Sequence, residues 1–286
     1  MSPRWKLLPL NLYFFTLFFL LSGVGIPALT LFVAGTRLFS SHRRTMKRFR
    51  RAISWYGKLI TAIPYPFIKL RYEPLQGSDP GEPYIFVSNH RSASDAFLMC
   101  VLPHEVVQIV NVWPFKIPVL GLYAKLSGYL NIRMMTHEQF LERAGMLLAQ
   151  GVSIVFFPEG TRSASRTMGA FHGAAFRLAL ETKASVVPLC ISGNENIPPK
   201  GSLMLRPGTI RVRRLPAITW QEYKDMNAYA FKNRVWNIID CELKNMEGAA
   251  PTKTAGSAAQ HSKMITDEAE CSMTPPVVNS HLHNHD

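Results

Sequence analysis

The hydrophobic pattern divides the chain into three parts. Residues 7–36 carry no charge at all, and a helix needs roughly 20 apolar residues to cross a bilayer. The run is longer than that, and Pro9, Gly23, Gly25 and Pro27 interrupt it. It predicts either one tilted span or a kinked, re-entrant helical pair dipping into one leaflet. A cleaved signal peptide is the third reading; the length of the run and the lack of an A-x-A site argue against it. From residue 68 the pattern becomes short β-rich runs at 68–72, 84–88, 106–112, 129–132, 153–157, 186–191 and 210–215. Between them lie helical periodicities at 138–150 and 170–182, and a last one from Thr219 to about Gly248. Thr136 with Gln139, and Thr219 with Glu222, have capping-box spacing, and Gly151 is a stop signal. This alternation predicts an α/β fold, a mixed β-sheet covered by helices, behind an N-terminal hydrophobic membrane helix or helical hairpin. The expected organisation is a membrane anchor with basic interfacial helices (1–67), an α/β domain (68–248) and a polar, disordered tail (249–286).

Charge refines this picture. Hydrophobic residues make up 47% of the 286 and charged residues 18%, yet the net charge is +13. Much of the excess sits directly after the apolar run, in Arg37, Arg43, Arg44, Lys47, Arg48, Arg50 and Arg51, with no acid among them. Only Arg4 and Lys6 precede the run. The positive-inside bias therefore puts the following domain on the cytoplasmic side, the inner membrane if the source is bacterial. The same patch suits an anionic membrane surface. A nucleic-acid partner is not expected, since the charge abuts a membrane segment and no such motif is present. The aromatic stretch 55–68 reads as a further interfacial helix. Among the four cysteines no C-x-x-C pair occurs, and Cys100 and Cys190, in apolar runs, read as buried free thiols. The alternating His281, His283 and His285 lie in the tail, which offers a metal ion no fixed geometry.

Two stretches carry chemistry. In the first, the strand at 84–88 ends on Asn89 and His90, with Asp95 five residues on. On a regular helix that offset is about 140°, so the side chains diverge. They meet if His90 occupies the strand-to-helix turn and Asp95 the first helical turn, where a carboxylate also suits the dipole. Asp95 then accepts from Nδ1 of His90 and frees Nε2 to act as a base. In the second, the strand at 153–157 runs into Pro158-Glu159-Gly160-Thr161-Arg162-Ser163. Gly160 permits close backbone approach, Thr161 offers a hydroxyl, and Arg162 a planar fork suited to a phosphate monoester. Glu159 can orient an arginine or bind a glycerol hydroxyl. Arg133 is a second cation at a strand end.

Together these segments resemble the glycerolipid acyltransferase family, the 1-acylglycerol-3-phosphate acyltransferases. An N-H-x-x-x-x-D block matches Asn89, His90 and Asp95. A glycine-to-arginine block matches Gly128 to Arg133, with Asn131 interrupting its apolar run. F-P-E-G-T-R-S matches Phe157 to Ser163 at every position, and an apolar run around a proline matches Val186 to Ile191. His172 stands near where relatives often have a lysine. The resemblance covers about residues 68 to 215. It implies His90 as general base supported by Asp95, and Arg133, Glu159, Gly160, Thr161 and Arg162 as holders of the glycerol phosphate. Val187 and Pro188 would shape the acyl or donor pocket. The implied donor is acyl-CoA or acyl-carrier protein as co-substrate, with no metal and no other cofactor. The implied acceptor is a lysophospholipid, lysophosphatidic acid first among them. Another lysolipid is the nearest rival acceptor. A hydrolase is a rival of another class, although no G-x-S-x-G elbow is present; an inactive membrane scaffold is a third, and does not need the two intact blocks.

Overall fold

The computed structural model describes residues 4–73, 81–110, 128–163, 167–195, 197–199 and 201–248. The tail with its three histidines, and residues 111–112 of the third expected strand, lie outside them. The apolar run is helical throughout. α1 (Leu8–Leu20) passes through a π-turn at Leu21–Gly25 into α2 (Ile26–Thr36). The two glycines in that turn are where the local hydrogen-bond pattern changes, as expected of helix irregularities.

α3 (His42–Ala62) opens on an N-cap at Ser41 and absorbs the cationic patch from Arg43 to Arg51, while Arg37 lies in a 3-10 turn at Arg37–Phe39. The expected separate helix at 55–68 is instead the second half of α3, ending before Pro64 and Pro66, which cannot continue a helix. α3 is strongly two-sided. Thr45, Phe49, Ala52 and Ile60 are buried, while Arg44, Lys47, Arg48, Arg51 and Lys58 are exposed. It runs back antiparallel to the apolar helices. Val33 and Leu29 pack with Phe49, Ala52 and Ile53, and Ser22 shares a 2.7 Å hydrogen bond with the Tyr56 hydroxyl. Its other side lies flush on the domain. A Cβ at Gly57 would come within 2.4 Å of Cys100 Sγ, so only glycine allows this approach.

The described strands form one sheet in the order β1-β7-β6-β2-β5-β3-β4. They are β1 (Ile68–Glu73), β2 (Ile85–Ser88), β3 (Val106–Val110), β4 (Leu130–Asn131), β5 (Ser153–Phe156), β6 (Val186–Ser192) and β7 (Gly208–Arg214). β6, β2, β5, β3 and β4 are mutually parallel; β7 pairs antiparallel to β6 and parallel to β1. The sheet is therefore mixed, as expected. Both faces are covered, which is why the central strands read as unbroken apolar runs. Ile85, Val87, Ile154 and Phe156 face one core, built with α5 (His137–Ala149), α6 (Ala174–Thr182) and α8 (Ala228–Gly248). Phe86, Val155, Val187 and Leu189 face the other, where Leu98, Met99, Leu102 and Leu10 of α1 close the layer.

Both capping boxes form, at Thr136–Gln139 and Thr219–Glu222. Three expected elements change. The helix at 170–182 starts only at Ala174, because the preceding backbone is taken up by tertiary bonds: Gly169 N–H donates to Glu159 and His172 N–H to the Pro158 carbonyl. The last helix is two, α7 (Trp220–Tyr223) and α8, since Asn227 accepts from Ala230 N–H and starts the second anew. The strand at 129–132 shrinks to β4, followed by a 3-10 turn at Ile132–Met134. Cys100 and Cys190 are buried free thiols, and burial pushes the Cys100 thiol up to about 12.

Candidate active site

β5, β2 and β6 are neighbours and parallel, so the loops leaving their C-terminal ends converge, the usual ligand position in such sheets. The loop after β2 carries His90. The chain turns there and enters a short helix, α4 (Asp95–Leu98), whose first residue is Asp95. That is the arrangement the five-residue spacing requires, and it brings His90 Nδ1 to 2.8 Å from Asp95 Oδ2. Asp95 is fully buried, and the N–H groups of Arg91 and Ser92 also donate to Oδ2 at 2.8 and 2.9 Å. Oδ2 is thus an acceptor in this cluster, and the bond to His90 assigns the proton to Nδ1. The imidazole is 22% exposed, and its Nε2 makes no hydrogen bond to a described residue. Phe157 packs against the ring, centroids 4.6 Å apart.

The loop after β5 is fastened to this turn from two sides. The Glu159 carboxylate, buried, accepts from His90 N–H at 2.8 Å, from Gly169 N–H at 2.8 Å and from the Ser163 hydroxyl. Ser163 N–H in turn donates to the His90 carbonyl at 2.8 Å. Glu159 thus braces the loop instead of meeting an arginine. Gly160 adopts φ +70°, and a Cβ there would sit 3.1 Å from the His172 ring, so the glycine keeps this corner open. Thr161 is exposed and Arg162 half-buried, both one strand over from His90. Arg133 is exposed just past β4, three strand positions from β2, or about 14 Å at ordinary strand spacing. The structure therefore unites His90, Asp95 and Glu159–Arg162, and leaves Arg133 at the rim.

The third loop supplies what sequence reasoning missed. Asn194, two residues past β6, donates from Nδ2 to Asp95 Oδ1. Its only signal was a polar residue behind a glycine at the end of an apolar run. Val187 and Pro188 are buried within β6. An apolar groove of about 160 Å³ opens beside the His90 turn instead, lined among others by Phe14, Phe18, Ile68, Ala93, Phe97 and Leu203. Ala93 and Ser94, between His90 and Asp95, form one edge of it. Among the described residues no cluster of three or more potential metal ligands occurs.

Fold and site together define an α/β domain with a carboxylate-backed imidazole at the strand ends, joined to an apolar helical segment of membrane-spanning length. The acyltransferase family model matches residues 69–192, the segment that contains the loops after β2 and β5 and ends with β6 at Ser192. Residues 69–192 therefore form an acyltransferase domain of this family. The chain is 34% identical over 181 residues to the chloroplastic 1-acyl-sn-glycerol-3-phosphate acyltransferase LPAT1 of Arabidopsis thaliana, covering 61% of this chain and 49% of that one. It is 33% identical to the chloroplastic enzyme BAT2 of Brassica napus, with 68% and 58% covered. The chain thus spans about half the length of these relatives. The crystal structure of the 1-acyl-sn-glycerophosphate acyltransferase PlsC from Thermotoga maritima shares the fold, with a TM-score of 0.72 at 22% identity, over 87% of this chain and 99% of that one.

Proposed function

We propose that this protein transfers a fatty acyl chain from a thioester, acyl-CoA or acyl-carrier protein, to the sn-2 hydroxyl of lysophosphatidic acid, giving phosphatidic acid. The observation that carries the reading is the 2.8 Å His90–Asp95 pair with Nε2 of His90 open to the site. The names of the relatives supply the acceptor. In this mechanism Nε2 takes the proton of the acceptor hydroxyl as its oxygen attacks the thioester carbonyl. The tetrahedral intermediate collapses, the carbon–sulfur bond breaks, and the leaving thiolate takes the proton from the imidazolium. Asp95 fixes the tautomer and stabilises the imidazolium, as the Asp of a catalytic triad does. Protons and charges balance without a metal or redox cofactor.

Arg162, Thr161 and Gly160 hold the glycerol phosphate on the loop that Glu159 braces, and Arg133 reaches in from the rim as a guanidinium on the phosphate. The groove beside Ala93 takes acyl chain. The substrates are amphiphiles, and the anchor keeps the site at headgroup level. α3, about 31 Å long, bears at least five exposed cations and packs beside the apolar helices. Carrying such charges to the bilayer centre costs about 3 kcal/mol each. The helix pair therefore lies along an anionic interface within one leaflet, with the catalytic domain on the cytoplasmic side.

The test uses membranes containing the protein, lysophosphatidic acid and labelled long-chain acyl-CoA, with His90→Ala alongside. Wild type should form phosphatidic acid, and the variant should lose at least about 100-fold, as for a general base. Equal activity in both would remove His90 from the mechanism. Free fatty acid as the main product would make the protein a hydrolase. A panel of other lysolipids and an acyl-carrier-protein donor sets the specificity.

A further inference from the structure

The two oxygens of Asp95 are served from opposite directions. Oδ2 accepts from His90 Nδ1 and from two N–H groups of its own loop. Oδ1 accepts from Nδ2 of Asn194, 99 residues away. We propose that Asn194 is a positioning residue for acyl transfer, its amide N–H locking the Asp95 carboxylate so that Oδ2 stays aimed at Nδ1 of His90. The inference rests on His90 being the general base.

Three observations carry it. The first is burial: Asn194 has no exposed surface. A carboxylate only accepts, so it fixes which way the amide faces, N–H toward Asp95. Among the described residues the amide oxygen has no hydrogen-bond partner. Burying an unsatisfied acceptor is unfavourable, so the side chain's contribution at this position is the donor.

The second is how the backbone delivers it. β6 ends at Ser192, and Gly193 turns the chain at φ +81°. A Cβ at Gly193 would lie 2.2 Å from the Thr209 carbonyl oxygen of β7, so only glycine permits this turn.

The third is that both flanks of Asn194 are registered on the catalytic loop. Upstream, Asn89 exchanges two hydrogen bonds with the Ile191 backbone, at 2.8 and 2.9 Å. Downstream, the Ser92 and Ser94 hydroxyls donate to the Ile197 carbonyl at 2.7 and 3.0 Å. Catalytic loop and β6 loop are thus one stitched unit with the Asn194–Asp95 bond at its centre. Without that donor Oδ1 is buried bare, and only the bonds at Oδ2 orient the carboxylate. The loss falls on proton transfer to His90 and leaves the grip on the two substrates untouched.

Asn194→Ala and the isosteric Asn194→Asp should be assayed in membranes for kcat and for KM of both substrates. For Asn194→Ala kcat should fall roughly 10- to 100-fold with both KM values within about twofold of wild type. Asn194→Asp, which puts an acceptor where the donor was, should fall at least as far, and decides the matter if the alanine variant does not fold. Because Asn194 acts through Asp95, adding Asn194→Ala to Asp95→Asn should cost little more. The proposal is overturned if either single variant keeps kcat within about threefold of wild type, or if Asn194→Ala costs the same factor in both backgrounds. His90→Ala with full activity would instead overturn the general-base reading itself.

Discussion

At the scale of single residues, Glu159 shows how far a side chain's type is from its use. Its chemistry suits an arginine partner or a sugar hydroxyl, yet three protein donors occupy it. Glu159→Gln keeps the shape but turns an N–H₂ toward those donors. Stability should fall by about 2 kcal/mol, the cost of a buried mismatch, and activity should fall at least tenfold as the loop loosens. Chemical denaturation and the phosphatidic acid assay measure the two effects. His90 and Asp95 were legible because five residues of local sequence bring them together. The braces were not: Gly169 and Asn194 reach the site from 10 and 99 positions away from the carboxylates they serve. Such pairings depend on which strands lie side by side, and strand order leaves no mark on local periodicity.

At the scale of elements, local signals decide starts and stops, and tertiary bonds override them where they compete. The capping boxes appear where the sequence puts them, whereas α6 begins four residues late because its expected first turn bonds elsewhere. α3 is held at its start by Glu105, which accepts from Arg43 and Arg50 at 2.7 and 2.8 Å. Burial alone would raise the Glu105 carboxyl, but the two guanidinium groups outweigh it and hold the group below its usual range. A carboxyl depressed in the fold contributes stability above its unfolded value near 4.3, and that contribution fades as pH falls through the folded value. Wild-type stability, measured by chemical denaturation, should therefore fall below about pH 4. Glu105→Gln should lower stability at pH 7, by removing the carboxylate that Arg43 and Arg50 share, and should lose less on acidification.

At the scale of the whole molecule, the antiparallel packing of α3 along the apolar helices is what supports the one-leaflet anchor proposed above over a single span. A helical run of 29 residues is about 43 Å long and satisfies the length for a span. Its neighbour's cations do not belong in hydrocarbon. A tag ahead of Leu8 should accordingly be digested from the same side of sealed vesicles as the catalytic domain. A protected tag would restore the transbilayer span. One last feature bears on how this protein can be handled. Asn11 trades two hydrogen bonds with the Leu205 backbone, at 2.7 and 3.0 Å, and Phe14, Phe15 and Phe18 line the groove beside the His90 turn. The apolar helix is thus a wall of the groove proposed to take acyl chain. Cutting the chain before Ser41 should give a product that stays sparingly soluble and transfers long acyl chains poorly, whatever detergent is supplied.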